Sequence, residues 1–217
     1  MKIATLTAAS ALLVTASAAN ASTFSFSQTT EQAPTYSTTL NFDEQGSPTG
    51  IGLSNTTWQA SHGITIGNGN NPAEINVDDW NDFYPWAPTN NAALGVWGIG
   101  LDFDQPITSL SFQAWESSGP PTFFGGGFFV LITDGDYGGN ADLIDGAGYT
   151  GAWGGVGKTW YTITAAEGKS FSHVVLNCGG NAGPEVILDN LSWNTVPGTG
   201  GFAVLALGLA GRGRRRA

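Results

Sequence analysis

Apolar and polar residues alternate in short runs along most of this 217-residue chain, and clusters of Gly, Asn, Asp and Pro separate the runs. A period of two puts successive side chains on opposite faces of an extended segment, so each run reads as a strand with one buried face. The clearest are "TFSFS" (23–27), "YSTTLNFDE" (36–44), "GVWGIGLDFD" (95–104) and "ITSLSFQAWE" (107–116). Further along come "GGFFVLITDGD" (126–136), "KTWYTITA" (158–165), "FSHVVLN" (171–177) and "EVILDNLSWN" (185–194). No long helical periodicity runs through this body. The pattern predicts an all-β fold, a two-sheet antiparallel sandwich whose inner faces meet across a core roughly 10 Å thick.

Single positions sharpen the reading. Ile99, Leu101 and Phe103 fall on one face with Asp102 and Asp104 on the other; Gln105-Pro106 reads as a turn, after which Leu110, Phe112 and Ala114 align. The run at 126–136 is nearly continuous in apolar residues, which predicts a central strand. Residues 68–93 and 116–127 are loop-rich, and the former holds Trp80, Phe83, Tyr84 and Trp86 among polar residues and prolines.

Charge divides the chain more sharply than its net value of −10 suggests. All 17 acidic residues lie between 22 and 196, where Lys158 and Lys169 are the only bases. Such a surface repels phosphate backbones and anionic headgroups, which argues against nucleic-acid binding. The remaining bases are Lys2 and the four arginines Arg212, Arg214, Arg215 and Arg216. Lys2, the apolar "IATLTAASALLVTASA" and Ala19-Asn20-Ala21 before Ser22 form a secretory signal pattern, with cleavage after Ala21. The expected organisation is a signal helix over 1–21, a β-sandwich domain over 22–195 and a distinct tail over 196–217. The lone Cys178 allows no internal disulfide and reads as a small apolar residue at a strand end.

The tail has Val196-Pro197-Gly198, then an apolar stretch from Gly201 to Gly211, then the arginines. It resembles the PEP-CTERM family of bacterial sorting signals, in a variant whose "VPGTG" replaces the Pro-Glu-Pro triplet. The resemblance covers about the last 22 residues. It implies a short C-terminal transmembrane-like helix, a transient membrane anchor, and processing by an exosortase-like membrane enzyme that delivers the body to the cell surface or extracellular matrix. A retained stop-transfer anchor is the alternative, although the run falls short of the roughly 20 residues a span needs.

Within "VILDNLSW", period two puts Ile187, Asp189, Leu191 and Trp193 on one face. A carboxylate in an apolar row is costly unless paired, hydrogen-bonded or metal-bound. Asp43 and Glu44 in the early strand could join Asp189 as oxygen ligands of a structural Ca²⁺, a hard ion that takes six to eight oxygens. The arrangement resembles carbohydrate-binding sandwiches of the galactose-binding or jelly-roll type, which implies a jelly-roll-like body with calcium between an early acidic strand and an "I-D-N-L"-like last strand. The alternative is that Asp189 caps a neighbouring turn. A second acidic loop carries Asp134, Asp136, Asn140 and Asp142; its D-x-D start suggests calcium, but its Gly/Asn/Asp spacing fits a hairpin turn better.

Eight tryptophans could stack on sugar rings or fill the core. Trp97, Trp160 and Trp193 lie in strand patterns and read as packing residues. Trp80, Trp86 and Trp153 lie in Gly/Asn/Pro-rich loops and are the ligand-binding candidates. Catalysis finds little footing: His62 and His173 lack metal-ligand spacing, and no G-x-S-x-G elbow occurs. The expectation is an exported surface or matrix protein, non-catalytic, acting as a structural, adhesive or carbohydrate-binding module with an extracellular polysaccharide as partner. A secreted glycoside or polysaccharide hydrolase is the alternative.

Overall fold

The chain is described by a computed structural model that places residues 23–29, 35–44, 47–80, 90–116, 128–135, 141–149, 160–178 and 185–196. The expected signal segment and the tail beyond Val196 lie outside the described residues. One strand, β7 (Ile99–Glu116), organises everything else. Before it come β1 (Phe24–Thr29), β2 (Thr38–Leu40), β3 (Gly50–Ser54), the short helix α1 (Gln59–His62), β4 (Ile64–Asn68), β5 (Glu74–Asp79) and β6 (Asn91–Val96). After it come β8 (Phe128–Thr133), β9 (Leu143–Tyr149), β10 (Trp160–Ala165), β11 (Phe171–Cys178) and β12 (Glu185–Thr195).

The first half of β7 pairs with β4 and β11, and its second half with β10 and β12. β7 thus belongs to both layers of an antiparallel sandwich. The first layer runs β1-β10-β7-β12, and the far edge of β12 is shared by β6 and β2, with β5 and β3 beyond β6. The second layer runs β4-β7-β11-β8-β9. Between them lies a single large core: Ile64, Ile66, Leu101, Ile132 and Val174 from the second layer meet Leu40, Leu110, Ile163, Leu188 and Leu191 from the first. Phe103 and Trp193 meet edge-on across the layers, ring centres 5.3 Å apart. The all-β, two-sheet antiparallel sandwich expected from the alternation is what forms.

Gln105-Pro106 is not a turn. The strand runs through it, and the register against β11 jumps from Phe171↔Ile107 to His173↔Asp102. Pro106 has no N–H to give a ladder, which suits a bulge as well as a turn; its carbonyl accepts the Val196 N–H at 2.9 Å. Here β7 crosses from one layer to the other. The expected strand at 95–104 breaks instead at Trp97 and Gly98, which take φ of 70° and 122°. A Cβ on Gly95 would lie 2.2 Å from the Gly98 carbonyl oxygen, so this reversal admits only glycine there. β8 does lie between two strands, but it alternates: Val130 and Ile132 are buried while Phe129 is exposed.

The last strand departs most from its expected phase. Its register against β7 slips between Asp189↔Gln113 and Ser192↔Ser111, and Asn190 occupies the left-handed region at φ 53°. Asn is among the few side chains that tolerate this. The extra residue reverses the alternation. Val186 and Leu188 before the bulge, and Leu191 and Trp193 after it, all face the main core. Ile187 turns to the opposite face and packs with Trp80, Ala92 and Leu94 in a second small cluster. Ile187, Asp189, Leu191 and Trp193 therefore do not share one face.

Candidate functional site

Because the first layer turns Tyr161, Ile163, Leu110, Phe112, Leu191 and Trp193 inward, the alternate residues of the same strands make up its outer face. Neighbouring positions line up in rows across β1, β10, β7, β12 and β2. One row reads Ser27, Thr162, Ser111, Ser192, Thr39. The next reads Ser25, Thr164, Ser109, Asn194 and then Ser37, whose backbone N–H donates to Asn194 Oδ1 at 2.8 Å. A third begins Thr29, Trp160, Gln113 and ends at the bulge of Asp189 and Asn190. Side chains bond along these rows: Thr162 Oγ1 donates to Ser111 Oγ at 3.3 Å, and Asn194 Nδ2 to Ser109 Oγ at 3.0 Å. Ser111, Gln113 and Ser192 are buried, whereas Ser25, Ser27, Thr39 and Thr164 are exposed.

At the β12–β2 end of this face a pocket of about 190 Å³ is lined by Thr39, Leu40, Asn41, Trp160, Asn190, Leu191 and Ser192. Trp160, half-buried, lines it beside amide- and hydroxyl-bearing residues. Asn190 is held over the pocket by Nδ2 bonds to Gln113 Oε1 at 2.8 Å and to Asp189 Oδ2 at 3.0 Å.

Asp189 is 1% exposed. Its Oδ1 accepts the Asn190 backbone N–H at 2.7 Å. Burial pushes its carboxyl up to about 7, against the pull of that N–H and with a further push from the charge of Asp43. Asp43 thus lies close enough for its charge to act on Asp189. Its own Oδ1, however, accepts the Asn91 backbone N–H at 2.9 Å. Glu44 turns to His62, Oε2 to Nε2 3.7 Å. Residues 42–44 form a turn rather than continuing the strand, with Asp43 N–H donating to Asn41 Oδ1 at 2.9 Å. Among the described residues no group of three or more His, Cys, Asp or Glu is placed to hold a metal ion. Asp43, Glu44 and Asp189 are thus not gathered into one such group among the described residues.

In the other acidic loop, Asp134 Oδ1 accepts the Asp142 N–H at 2.7 Å and the Asp134 N–H reaches the Asp142 carbonyl at 3.1 Å, bonds that link the ends of β8 and β9. Asp136 and Asn140 lie outside the described residues, as do Trp86 and Trp153. Trp80, expected open in a loop, is 8% exposed and donates its Nε1–H to the Ala92 carbonyl at 2.8 Å. Trp97, expected to pack, is 50% exposed on its turn. Trp160, also expected to pack, lines the pocket. Loop or strand context alone did not decide which indole is covered. The signal for the polar face was in the sequence: the outward positions of "SFSQT", "TSLSFQ", "WYTIT" and "LSWN" are nearly all Ser, Thr, Gln or Asn.

Elsewhere, His173 Nδ1 lies 2.9 Å from Asp102 Oδ1 on the outer face of the second layer, both side chains about a fifth to a quarter exposed at 24% and 21%. This fixes the imidazole, but the Thr133 hydroxyl on the neighbouring strand donates to the Gly135 carbonyl at 3.0 Å.

No family model matches the chain, and no curated protein matches it. Among solved structures, the K2 cleaved adhesin domain of Lys-gingipain is similar over 72% of this chain and 99% of that one, at 12% identity and a TM-score of 0.43. TmCBM61, solved in complex with β-1,4-galactotriose, is similar over 67% of this chain and 99% of that one, at 13% identity and a TM-score of 0.30.

Proposed function

We propose that this protein is exported and works at the cell surface or in the extracellular matrix as a non-catalytic binding module, adhesive or carbohydrate-binding. The single observation that carries the binding role is the pocket that half-buried Trp160 lines together with Asn41, Asn190, Thr39 and Ser192. An apolar ring surface ringed by a few oriented polar groups is the usual composition of a small-ligand site. Export rests on the charge-and-apolar pattern at the N-terminus, and surface sorting by an exosortase-like enzyme rests on the tail.

Hydrolysis is the second reading, and Asp189 with Asp43 is what favours it. A carboxyl group pushed up by burial, with a second carboxylate acting on it, is the equipment of a glycosidase. Both Asp189 oxygens, however, are engaged by Asn190, and the side chain is 1% exposed. A general acid needs contact with the leaving oxygen. Binding therefore takes precedence.

The test is to express the full chain in a bacterium that processes such tails and to recover it from cell-surface and matrix fractions. Expected are a mass lacking residues 1–21 and the terminal arginines, co-sedimentation with matrix polysaccharide, and no release of reducing ends. An intact cytosolic chain contradicts the export reading, and released reducing ends favour the hydrolase.

A further inference from the structure

We infer that the pocket at the β12–β2 end holds one neutral sugar ring, recognised by an acceptor on Asn190 and a donor on Asn41. This rests on the binding role proposed above and adds the ligand class and the atoms that read it. Each of the two amides has one end tied down. Asn190 spends both of its Nδ2 hydrogens, on Gln113 Oε1 at 2.8 Å and on Asp189 Oδ2 at 3.0 Å, so its Oδ1 is the end left to a ligand, as an acceptor. Asn41 is the converse. Its Oδ1 accepts the Asp43 N–H at 2.9 Å, and its Nδ2 hydrogens make no hydrogen bond among the described residues. The Thr39 hydroxyl, on an exposed residue, can serve either way. Leu40, Leu191 and Trp160 complete the lining with apolar surface.

No charged side chain lines the pocket, so its ligand is uncharged. Exposed Asp43 follows Asn41 by two residues, and a carboxylate there repels a uronate or a sulfate. A fixed acceptor, a fixed donor and a hydroxyl among apolar side chains fit a ring that carries hydroxyls on its edge and C–H groups on its face. A peptide amide, the other neutral candidate, offers one donor and one acceptor and leaves the third group unmatched. Size sets the rest. The pocket, about 190 Å³, is smaller than the roughly 300 Å³ at which drug-sized sites begin, and it suits one ring. Toward the middle of the layer Ser111, Gln113 and Ser192 are buried, so a second ring finds no seat there. The ligand is therefore a chain end or a free sugar, and added chain length brings no affinity.

The experiment is calorimetric titration of the full chain with methyl glycosides of glucose, galactose and mannose, and with neutral hexasaccharides of the same sugars. Galacturonate and a neutral amide, N-acetylglycine methylamide, are the comparison ligands, and the series is repeated on Asn41→Asp, Thr39→Val and Trp160→Ala. Asn41→Asp keeps an oxygen for the Asp43 N–H and removes the amide hydrogens. Thr39 is exposed on its strand, so its valine variant removes the hydroxyl while keeping a good strand former. A methyl glycoside is expected to bind, and galacturonate about tenfold or more weakly. A hexamer within about threefold of its glycoside makes a chain end a ligand, and glycoside binding alone restricts the site to free sugars. Asn41→Asp and Trp160→Ala are expected to lose about tenfold, and Thr39→Val about threefold. A hexamer bound about tenfold or more tightly than its glycoside overturns the single-ring seat. Sugar binding unchanged in Asn41→Asp overturns the placement. Binding of the amide or of galacturonate without neutral-sugar binding overturns the ligand class and leaves a binding module standing. Absence of binding to every ligand removes this inference and the carbohydrate arm of the proposed function, and leaves the adhesive arm. Should Asn41→Asp fail to fold, Thr39→Val decides alone.

Discussion

Asp189 accepts the backbone N–H of Asn190 at 2.7 Å, and this contact spans the bulge that turns the last strand over. One extra residue there lets Leu191 and Trp193 fill the main core while Ser192 and Asn194 face outward. The same bulge places the Asn190 amide over the pocket. A feature of local backbone geometry thereby connects the core to the polar outer face of the layer.

The buried Asp189 makes stability depend on pH. Its folded value, about 7, is raised from 3.8, so between those limits the folded chain holds a proton that the unfolded chain has released. The stabilising contribution is complete below about pH 4 and is lost as pH rises through about 7, with a slope approaching ~1.4 kcal/mol per pH unit. Urea melts from pH 4 to 8 should show the decline, and Asp189→Asn should flatten it and be the more stable form at pH 8. Equal slopes in the two proteins would remove this role for the carboxyl.

Asn190 at φ 53° should tolerate glycine and resist branching. Asn190→Val is expected to cost about 2 kcal/mol or more, from left-handed strain and the lost amide bonds. Asn190→Gly, which relieves the strain, is expected to cost less than half as much by denaturant midpoint. Equal losses would mean that the amide bonds, not the backbone, hold the bulge.

Trp80 and Trp160 should separate stability from binding. Trp80 packs against Ala92, Leu94 and Ile187, so Trp80→Ala is expected to lower stability by about 3 kcal/mol. Trp160→Ala should lower stability less and ligand affinity more. Thermal melts alongside the titrations read both effects.

Chelation should leave the fold unmoved. With Glu44 directed to His62 and Asp43 bonded to the Asn91 N–H, melting temperatures with and without EDTA are expected to coincide. A fall of several degrees would restore the calcium reading.

Much of the sandwich was legible because period two is a strong signal where one face is buried: Ile99, Leu101 and Phe103 behave as the alternation requires. The failures share a physical cause, namely that local sequence does not specify the partner strand. Pro106 fits a bulge as well as a turn, and the choice depends on β4 and β10 flanking it. β6, "NAALGV", is rich in Ala and Gly, which carry little strand preference of their own. The bulge at Asn190 inverted the phase of everything after it, and no residue count could reveal that. The site was half legible. Trp80, expected open, is buried, and Trp160, expected to pack, lines the pocket, because exposure depends on the neighbouring strand.

The most direct measurement of the central claim is an NMR titration of the ¹⁵N-labelled chain with a neutral hexasaccharide. The account predicts that the Trp160 indole N–H and the amides of Thr39, Asn190 and Ser192 shift in a saturable way while the Trp80 indole stays in place. Shifts confined to Trp97 or to the β8–β9 surface, with Trp160 unmoved, would contradict it.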